Sequence, residues 1–234
     1  MKNRTIVITG ATGGLGAVVT RDLASRGAYL VLLDRDSERL ASLTSDLLLP
    51  EERFLARSVD LLNPDETRRA AEAASTRLGH IDALLHLVGG WTGGKTLIEA
   101  PADDLTFMLN QHVWTSFNVV QAFVPYLVAN GWGRVIMVTS PYAVNPSSKG
   151  GPYAIGKAGQ ETLMLTLAQE LKGTGVTANL LQAKTIDIKR EKVTAPAPQN
   201  AGWTTPEELS AAILYLLSDE AGAINGAKIP LFGG

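Results

Sequence analysis

The chain has 234 residues, 45% of them hydrophobic and 6% aromatic, with 23 glycines, 11 prolines and no cysteine. That length can bury a substantial core, and the lack of cysteine excludes disulfide frameworks, thiolate catalysis and Cys-ligated zinc. With 21 basic against 23 acidic side chains the net charge is −2, no global field for nucleic acid or an anionic membrane, and neither is expected as a partner.

Met1-Lys2-Asn3-Arg4 leads into an apolar run of a few residues that ends at Gly10. A run that short is neither a secretory signal core nor a membrane span, so a soluble cytoplasmic protein is the expectation. Short runs rich in β-branched residues predict strands over Arg4 to Thr9, Tyr29 to Asp34, Phe54 to Val59, Ile81 to Val88, Arg134 to Thr139, Val176 to Leu181 and Ala227 to Leu231. Longer Ala/Leu-rich stretches predict helices over Leu15 to Ser25, Ser37 to Leu47, Asp65 to Leu78, Asp103 to Ala129, Tyr153 to Leu171 and Pro206 to Leu217. Strict alternation with apolar strands implies an α/β fold, a doubly wound parallel sheet of about seven strands in a three-layer α/β/α arrangement. No linker or shift in composition divides residues 1–234, which read as one domain. The irregular stretch 184–204 holds Lys189-Arg190-Glu191-Lys192 and Ala195-Pro196-Ala197-Pro198 and reads as a mobile substrate loop.

The first strand runs directly into Thr9-Gly10-Ala11-Thr12-Gly13-Gly14-Leu15-Gly16, and a helix follows. Strand, tight turn and helix N-terminus together form an anion site, because unpaired backbone N–H groups and the positive dipole end face one point. The second strand ends at Asp34, 18 residues past Gly16, close to where a dinucleotide-binding unit of Rossmann type places the carboxylate that holds the adenosine ribose. A carboxylate there repels a 2′-phosphate, whereas Arg35 beside it could pair with one. No basic residue lies in the glycine loop, so NAD(H) is favoured over NADP(H).

Further on, Pro152-Tyr153-Ala154-Ile155-Gly156-Lys157 opens a long helix, and the i, i+4 spacing places phenol and ammonium on one face. A lysine near a tyrosine favours the phenolate and brings a group of free pKa about 10 toward the range where it exchanges protons with an alcohol or carbonyl. Upstream, the fifth strand ends in Val138-Thr139-Ser140, at the sheet edge where ligands bind in parallel α/β folds, so Ser140 would face the same crevice as the glycine loop.

These residues resemble the short-chain dehydrogenase/reductase family. Its pattern of Thr-Gly-x-x-x-Gly-x-Gly, a selector after the second strand, an Asp after the third, a serine and Tyr-x-x-x-Lys is matched by Thr9, Gly10, Gly14 and Gly16, by Asp34, by Asp60, by Ser140, and by Tyr153 with Lys157. The resemblance runs from residue 4 to the C-terminus and points to the compact type. It implies Tyr153 as general acid/base, Ser140 orienting the reacting oxygen, and Lys157 lowering the tyrosine pKa and binding the nicotinamide ribose. Asp60 would contact the adenine amino group with the backbone of Val59 and Leu61 bordering it, Val88 and Gly89 would border the cofactor, and the backbone of Ile186 would bind the carboxamide. A hydride would pass between the nicotinamide and a carbonyl or secondary alcohol on a small molecule.

The chain departs from the family in four places. Asn-Asn-Ala-Gly is replaced by His86-Leu87-Val88-Gly89, and the relay asparagine of the central helix by His112, whose free pKa near 6.5 suits a proton carrier. Pro-Gly after the sixth strand is replaced by Ala183-Lys184, with Ile188 where a threonine is usual, in a short loop similar to that of dihydropteridine reductase-like members. The C-terminal Asp-Gly-Gly becomes Phe232-Gly233-Gly234. A rival motif, Gly89-Gly90-Trp91-Thr92-Gly93-Gly94-Lys95-Thr96, satisfies the P-loop pattern of a nucleotide triphosphatase, but Pro101 breaks the helix such a site requires. A second rival is a dinucleotide-binding sensor or scaffold with little turnover, for which His86, His112 and Ile188 speak. Trp91, Pro141, Tyr142, Gln182 and Trp203 are candidate substrate contacts. A homodimer or homotetramer is expected, paired through the helices near Gln111 to Ala129 and from Tyr153, with Val113, Val119, Val120, Phe123, Leu163, Leu165, Leu167 and Leu171 as their apolar positions.

Overall fold

The computed structural model describes residues 1–47 and 49–232, so Gly233 and Gly234 of the C-terminal motif lie outside the described residues. Seven strands, β1 (Thr5–Thr9), β2 (Tyr29–Asp34), β3 (Phe54–Ser58), β4 (Ala83–His86), β5 (Gly133–Thr139), β6 (Val176–Gln182) and β7 (Lys228–Pro230), form one sheet in the order β3-β2-β1-β4-β5-β6-β7. Every pairing is parallel. The helices are α1 (Gly14–Ser25), α2 (Ser37–Asp46), α3 (Pro64–Leu78), α4 (Ala102–Leu109), α5 (Thr115–Ala129), α6 (Gly151–Glu170), α7 (Glu191–Thr194) and α8 (Pro206–Leu216).

Side chains alternate across a strand, so the apolar strands feed two cores. Ile6, Ile8, Leu30, Leu32, Leu85 and Ile136 face one way and pack with Val19, Leu23, Leu40 and Ile213 from α1, α2 and α8. Val7, Val31, Leu84, Val135 and Met137 face the other way and pack with Ala70, Ala74, Phe123, Leu127 and Met164 from α3, α5 and α6. The strand order reverses between β1 and β4, and parallel α/β sheets open a crevice at the carboxyl ends of such neighbours.

The expected elements are present with boundaries shifted by a few residues, most at Ile81 to Val88, of which Ala83–His86 form the strand. One expectation fails. The helix predicted over Asp103 to Ala129 is interrupted by a π-helical turn at Asn110–Trp114. The hydroxyls of Thr115 and Ser116 reach back four residues and donate to the carbonyls of Gln111 and His112, at 2.8 and 2.7 Å. Such back-bonding satisfies carbonyl groups that the wider turn releases. In the 184–204 segment, the buried Asp187 carboxylate accepts from the N–H groups of Glu191 and Lys192, both at 2.8 Å, and Ile186 bridges to Thr204.

Candidate active site

At the switch point lies an open groove whose two halves share Gly13, Leu87, Val88 and Gly89. The glycine loop forms its floor. Gly10 adopts φ +68°, and a Cβ there would stand 3.1 Å from the backbone of Leu87 and Val88. A Cβ on Gly16 would meet the Gly10 carbonyl oxygen at 2.1 Å. The close approach of the helix to the loop thus requires glycine at both positions. Gly13 caps α1 without any side-chain hydrogen bond, which leaves the first N–H groups of the helix available to an anion. The cradle fits a dinucleotide pyrophosphate.

One half of the groove is lined by Gly10, Thr12, Asp34, Arg35, Arg39, Asp60, Leu61 and Leu62, with Gln111 and Thr115 at its back. Asp34 fixes the loop: one carboxylate oxygen accepts from the Thr12 N–H at 3.0 Å and hydroxyl at 2.7 Å, the other from the Arg35 N–H at 2.8 Å. Arg39, absent from the expected set, donates to the Thr12 carbonyl at 2.6 Å. It lies one turn into α2, where a sequence shows only a polar residue on a helix. Asn118 donates to the Leu61 carbonyl at 2.8 Å and holds that wall to α5.

The other half is lined by Gly14, Leu15, Gly16, Gly90, His112, Val138, Thr139, Tyr153, Lys157, Lys184, Ile186 and Ile188. Ser140 follows β5 and is fully buried. Tyr153, in the first turn of α6, stands beside Ser140, whose hydroxyl oxygen accepts from the Tyr142 N–H at 3.4 Å. Burial raises the Tyr153 pKa above its ordinary value, the neighbouring Ser140 hydroxyl pulls it back, and Tyr142 pushes it up again. The lowering expected from Lys157 is not seen. The Lys157 Nζ is instead occupied by the Val138 carbonyl at 2.8 Å and the Gln160 Oε1 at 2.9 Å. Burial pushes the Lys157 pKa down to about 7, against the pull of Glu161.

Both replaced asparagines stand as neutral histidines. His86 is buried, its Nδ1 2.7 Å from the Thr9 hydroxyl and its Nε2 3.3 Å from that of Thr115. Burial first, then the nearby Lys157, lowers its pKa to about 3. His112 donates from Nε2 to the Gly90 carbonyl at 3.0 Å and meets the Tyr153 ring edge-to-face at 5.5 Å. Burial, Lys157 and His86 lower its pKa to about 3, against the bond to Gly90. Its Nδ1 is buried without a partner.

Beneath the site, the buried Glu161 gathers three elements. Its carboxylate accepts from the Thr139 hydroxyl at 3.0 Å, the Gln182 amide at 3.2 Å and the Lys228 ammonium at 3.1 Å. Gln182 is therefore turned to Glu161, and neither half of the groove is lined by Trp91, Pro141, Tyr142, Gln182 or Trp203. Trp91 is exposed and lies over Gly93. Ile188, in contrast, presses on the loop, within 2.6 Å of where a Gly14 Cβ would sit. The P-loop reading fails on geometry: no helix begins until Ala102, and the Thr96 hydroxyl is held by Glu99. Among the described residues no three His, Cys, Asp or Glu cluster as metal ligands, and no helix is long and apolar enough to cross a membrane.

A sequence profile described as short chain dehydrogenase matches residues 4–196. A 3-oxoacyl-(acyl-carrier-protein) reductase of Thermotoga maritima is 28% identical over 247 aligned residues, covering 100% of this chain and 98% of the relative. A D-beta-hydroxybutyrate dehydrogenase of Rhizobium meliloti is 26% identical, covering 99% and 98%. A short-chain type dehydrogenase/reductase from Mycobacterium ulcerans superposes with a TM-score of 0.91 at 23% identity, covering 100% of this chain and 90% of that one. On the extent of the profile match, the chain belongs to the short-chain dehydrogenase/reductase family of NAD(P)-dependent oxidoreductases.

Proposed function

We propose that the protein interconverts a carbonyl and a secondary alcohol on a small molecule, with NAD(H) preferred to NADP(H) and Tyr153 as the proton-transferring group. The observation that carries this reading is the convergence of Tyr153 and Lys157 in one half of a groove, beside Ser140, while Asp34 stands in the other half. A pure dinucleotide sensor has no need of a tyrosine set beside a buried serine. When bound, the nicotinamide supplies the hydride or accepts it. The protein's own groups hold the oxygen and move its proton. With its pKa raised, Tyr153 is protonated at neutral pH and donates to a carbonyl oxygen; Ser140 orients that oxygen.

Lys157 has three N–H bonds when charged, two of them taken by Val138 and Gln160, which leaves one for a ribose hydroxyl. The relay role of His112 narrows to that of a neutral acceptor, since its Nε2 proton is committed to Gly90 and its pKa is about 3. Asp34 supports NAD(H), and Arg39 does not oppose it while its guanidinium serves the Thr12 carbonyl. Assembly as a homodimer or homotetramer through α5 and α6 belongs to the same reading, supported by exposed Trp114, Phe117 and Ile155.

The test is titration of the protein with NADH and NADPH, followed by a carbonyl panel that includes 3-oxoacyl thioesters and acetoacetate. Tyr153→Phe is expected to cut turnover by at least about 100-fold, the size of a lost general acid, with NADH affinity within about twofold of the parent. A parent protein that binds NADH yet turns over nothing in the panel would favour the sensor instead.

A further inference from the structure

Gln160 is a fully buried amide on α6, one turn beyond Lys157, on a face otherwise built from Ala154, Gly156, Met164 and Leu167 together with Glu161. Burying an amide is costly unless its hydrogen bonds are made, and here they form a directed chain. The Lys157 Nζ donates to Gln160 Oε1 at 2.9 Å, Gln160 Nε2 donates to the Ser116 hydroxyl oxygen at 3.2 Å, and that hydroxyl donates to the His112 carbonyl at 2.7 Å. The orientation of the amide follows from its far end. A carbonyl only accepts, so the Ser116 hydrogen belongs to His112, the Ser116 oxygen must receive a donor, and the amide must turn its NH2 there and its oxygen to Lys157. The π turn thereby fixes the rotamer of a residue on another helix.

We propose that Gln160 is a positioning residue for Lys157, its amide oxygen holding the ammonium against the end of β5 so that the remaining N–H faces the nicotinamide end of the groove. The inference rests on the assignment of Lys157 to the cofactor ribose. An acceptor on Nζ favours the charged form, while burial opposes it. The other ionisable groups around Lys157 are His86 from β4 and His112 from the π turn, both neutral, Tyr153 and Glu161 from α6, and Lys184 across the groove. None of these donates to or accepts from Nζ; the Val138 carbonyl and Gln160 do.

The experiment uses two substitutions with opposite expected signs. Gln160→Met removes the acceptor at similar size, and Gln160→Glu keeps an acceptor and adds charge. Titration of Lys157 is followed in the cofactor-free protein by NMR on carbon-13-labelled lysine, assigned with Lys157→Met, and NADH affinity is measured by fluorescence across pH 5.5 to 9. Gln160→Met is expected to lower the Lys157 midpoint by about one unit and weaken NADH binding about tenfold near neutrality, the scale of one hydrogen bond to a charged group. Gln160→Glu is expected to raise the midpoint and keep NADH affinity within about threefold of the parent, since the acceptor remains. A purely structural role for Gln160 does not reverse the sign between the two variants. Midpoints unchanged in both, or displaced the same way in both, overturn the inference; if Gln160→Met does not fold, an unmoved or lowered midpoint in Gln160→Glu alone overturns it. A parent protein that binds neither NADH nor NADPH overturns the reading of Lys157 and this inference with it, whereas normal parental binding with unmoved variants overturns the inference alone.

Discussion

His86 shows how much one buried side chain can commit a fold to neutral pH. Both ring nitrogens are engaged by threonine hydroxyls, one from β1 and one from α5, an arrangement open to an uncharged imidazole. Its folded pKa of about 3 lies below the free value of 6.5, as does that of His112. On acidification the unfolded chain takes up these protons first, so the stability both groups contribute is complete above pH 6.5 and is lost as pH falls toward 3. Each can add up to about 1.4 kcal/mol per pH unit to that loss. Urea unfolding of His86→Asn between pH 7 and 4 should therefore show a shallower decline than the parent, by about one proton; equal slopes would remove His86 as the cause. Both histidines were visible in the sequence as departures from a pattern. Their partners were not, because Thr9 and Gly90 meet them only after strands and helices distant in the chain have packed. Arg39 and Gln160 escaped notice for the same reason: each is an unremarkable helix residue until its bonded neighbour, Thr12 or Ser116, is known.

At the scale of elements, the turn from β1 into α1 and the turn from α4 into α5 behave differently as signals. The first was legible, because only glycine tolerates the approach of Gly16 to the Gly10 carbonyl, and the spacing of glycines therefore records the geometry. Gly16→Ala should weaken NADH binding by at least about tenfold, as a loop forced open loses aligned N–H donors. Gly222→Ala, where an added methyl would meet only an Arg134 guanidinium nitrogen at 3.5 Å, should leave binding unchanged in the same titration. The π turn left no such mark. Its supporting hydroxyls, Thr115 and Ser116, are ordinary helix residues, and an apolar periodicity does not register one extra residue per turn. The central strands β1, β2, β4 and β5 were read well because each carries apolar side chains to both faces of the sheet. The bond from the Gln182 amide to Glu161 was not legible, because Glu161 lies 21 residues earlier in the chain on α6.

Across the whole molecule, alternation of strands and helices was enough to give the doubly wound sheet, but it could not sort the apolar residues of α5 and α6 by depth. Val119, Phe123, Leu167 and Leu171, expected at a subunit contact, belong to the core. On α4, the π turn, α5 and α6 the exposed large apolar side chains among the described residues are Phe107, Trp114, Phe117, Val128 and Ile155, with Trp114 and Phe117 in edge-to-face contact at 6.2 Å. Exposed aromatic groups of this size are characteristic of interfaces. Replacing Trp114 and Phe117 together by serine should yield monomers in sedimentation velocity, whereas Trp91→Ser, at an exposed position in the loop after β4, should keep the parental assembly. A parent that sediments as a monomer would refute pairing through this face. The π turn, finally, makes residues 102–129 a rod whose two ends are out of phase by one residue, about 100° of rotation, so that α4 can seat on α6 while α5 seats on α3. Deleting one residue within the π turn would restore a regular helix and turn α4 by about 100° relative to α5, with the neighbouring side chains chemically intact. In this stretch the chain is constrained by its length more tightly than by its spelling.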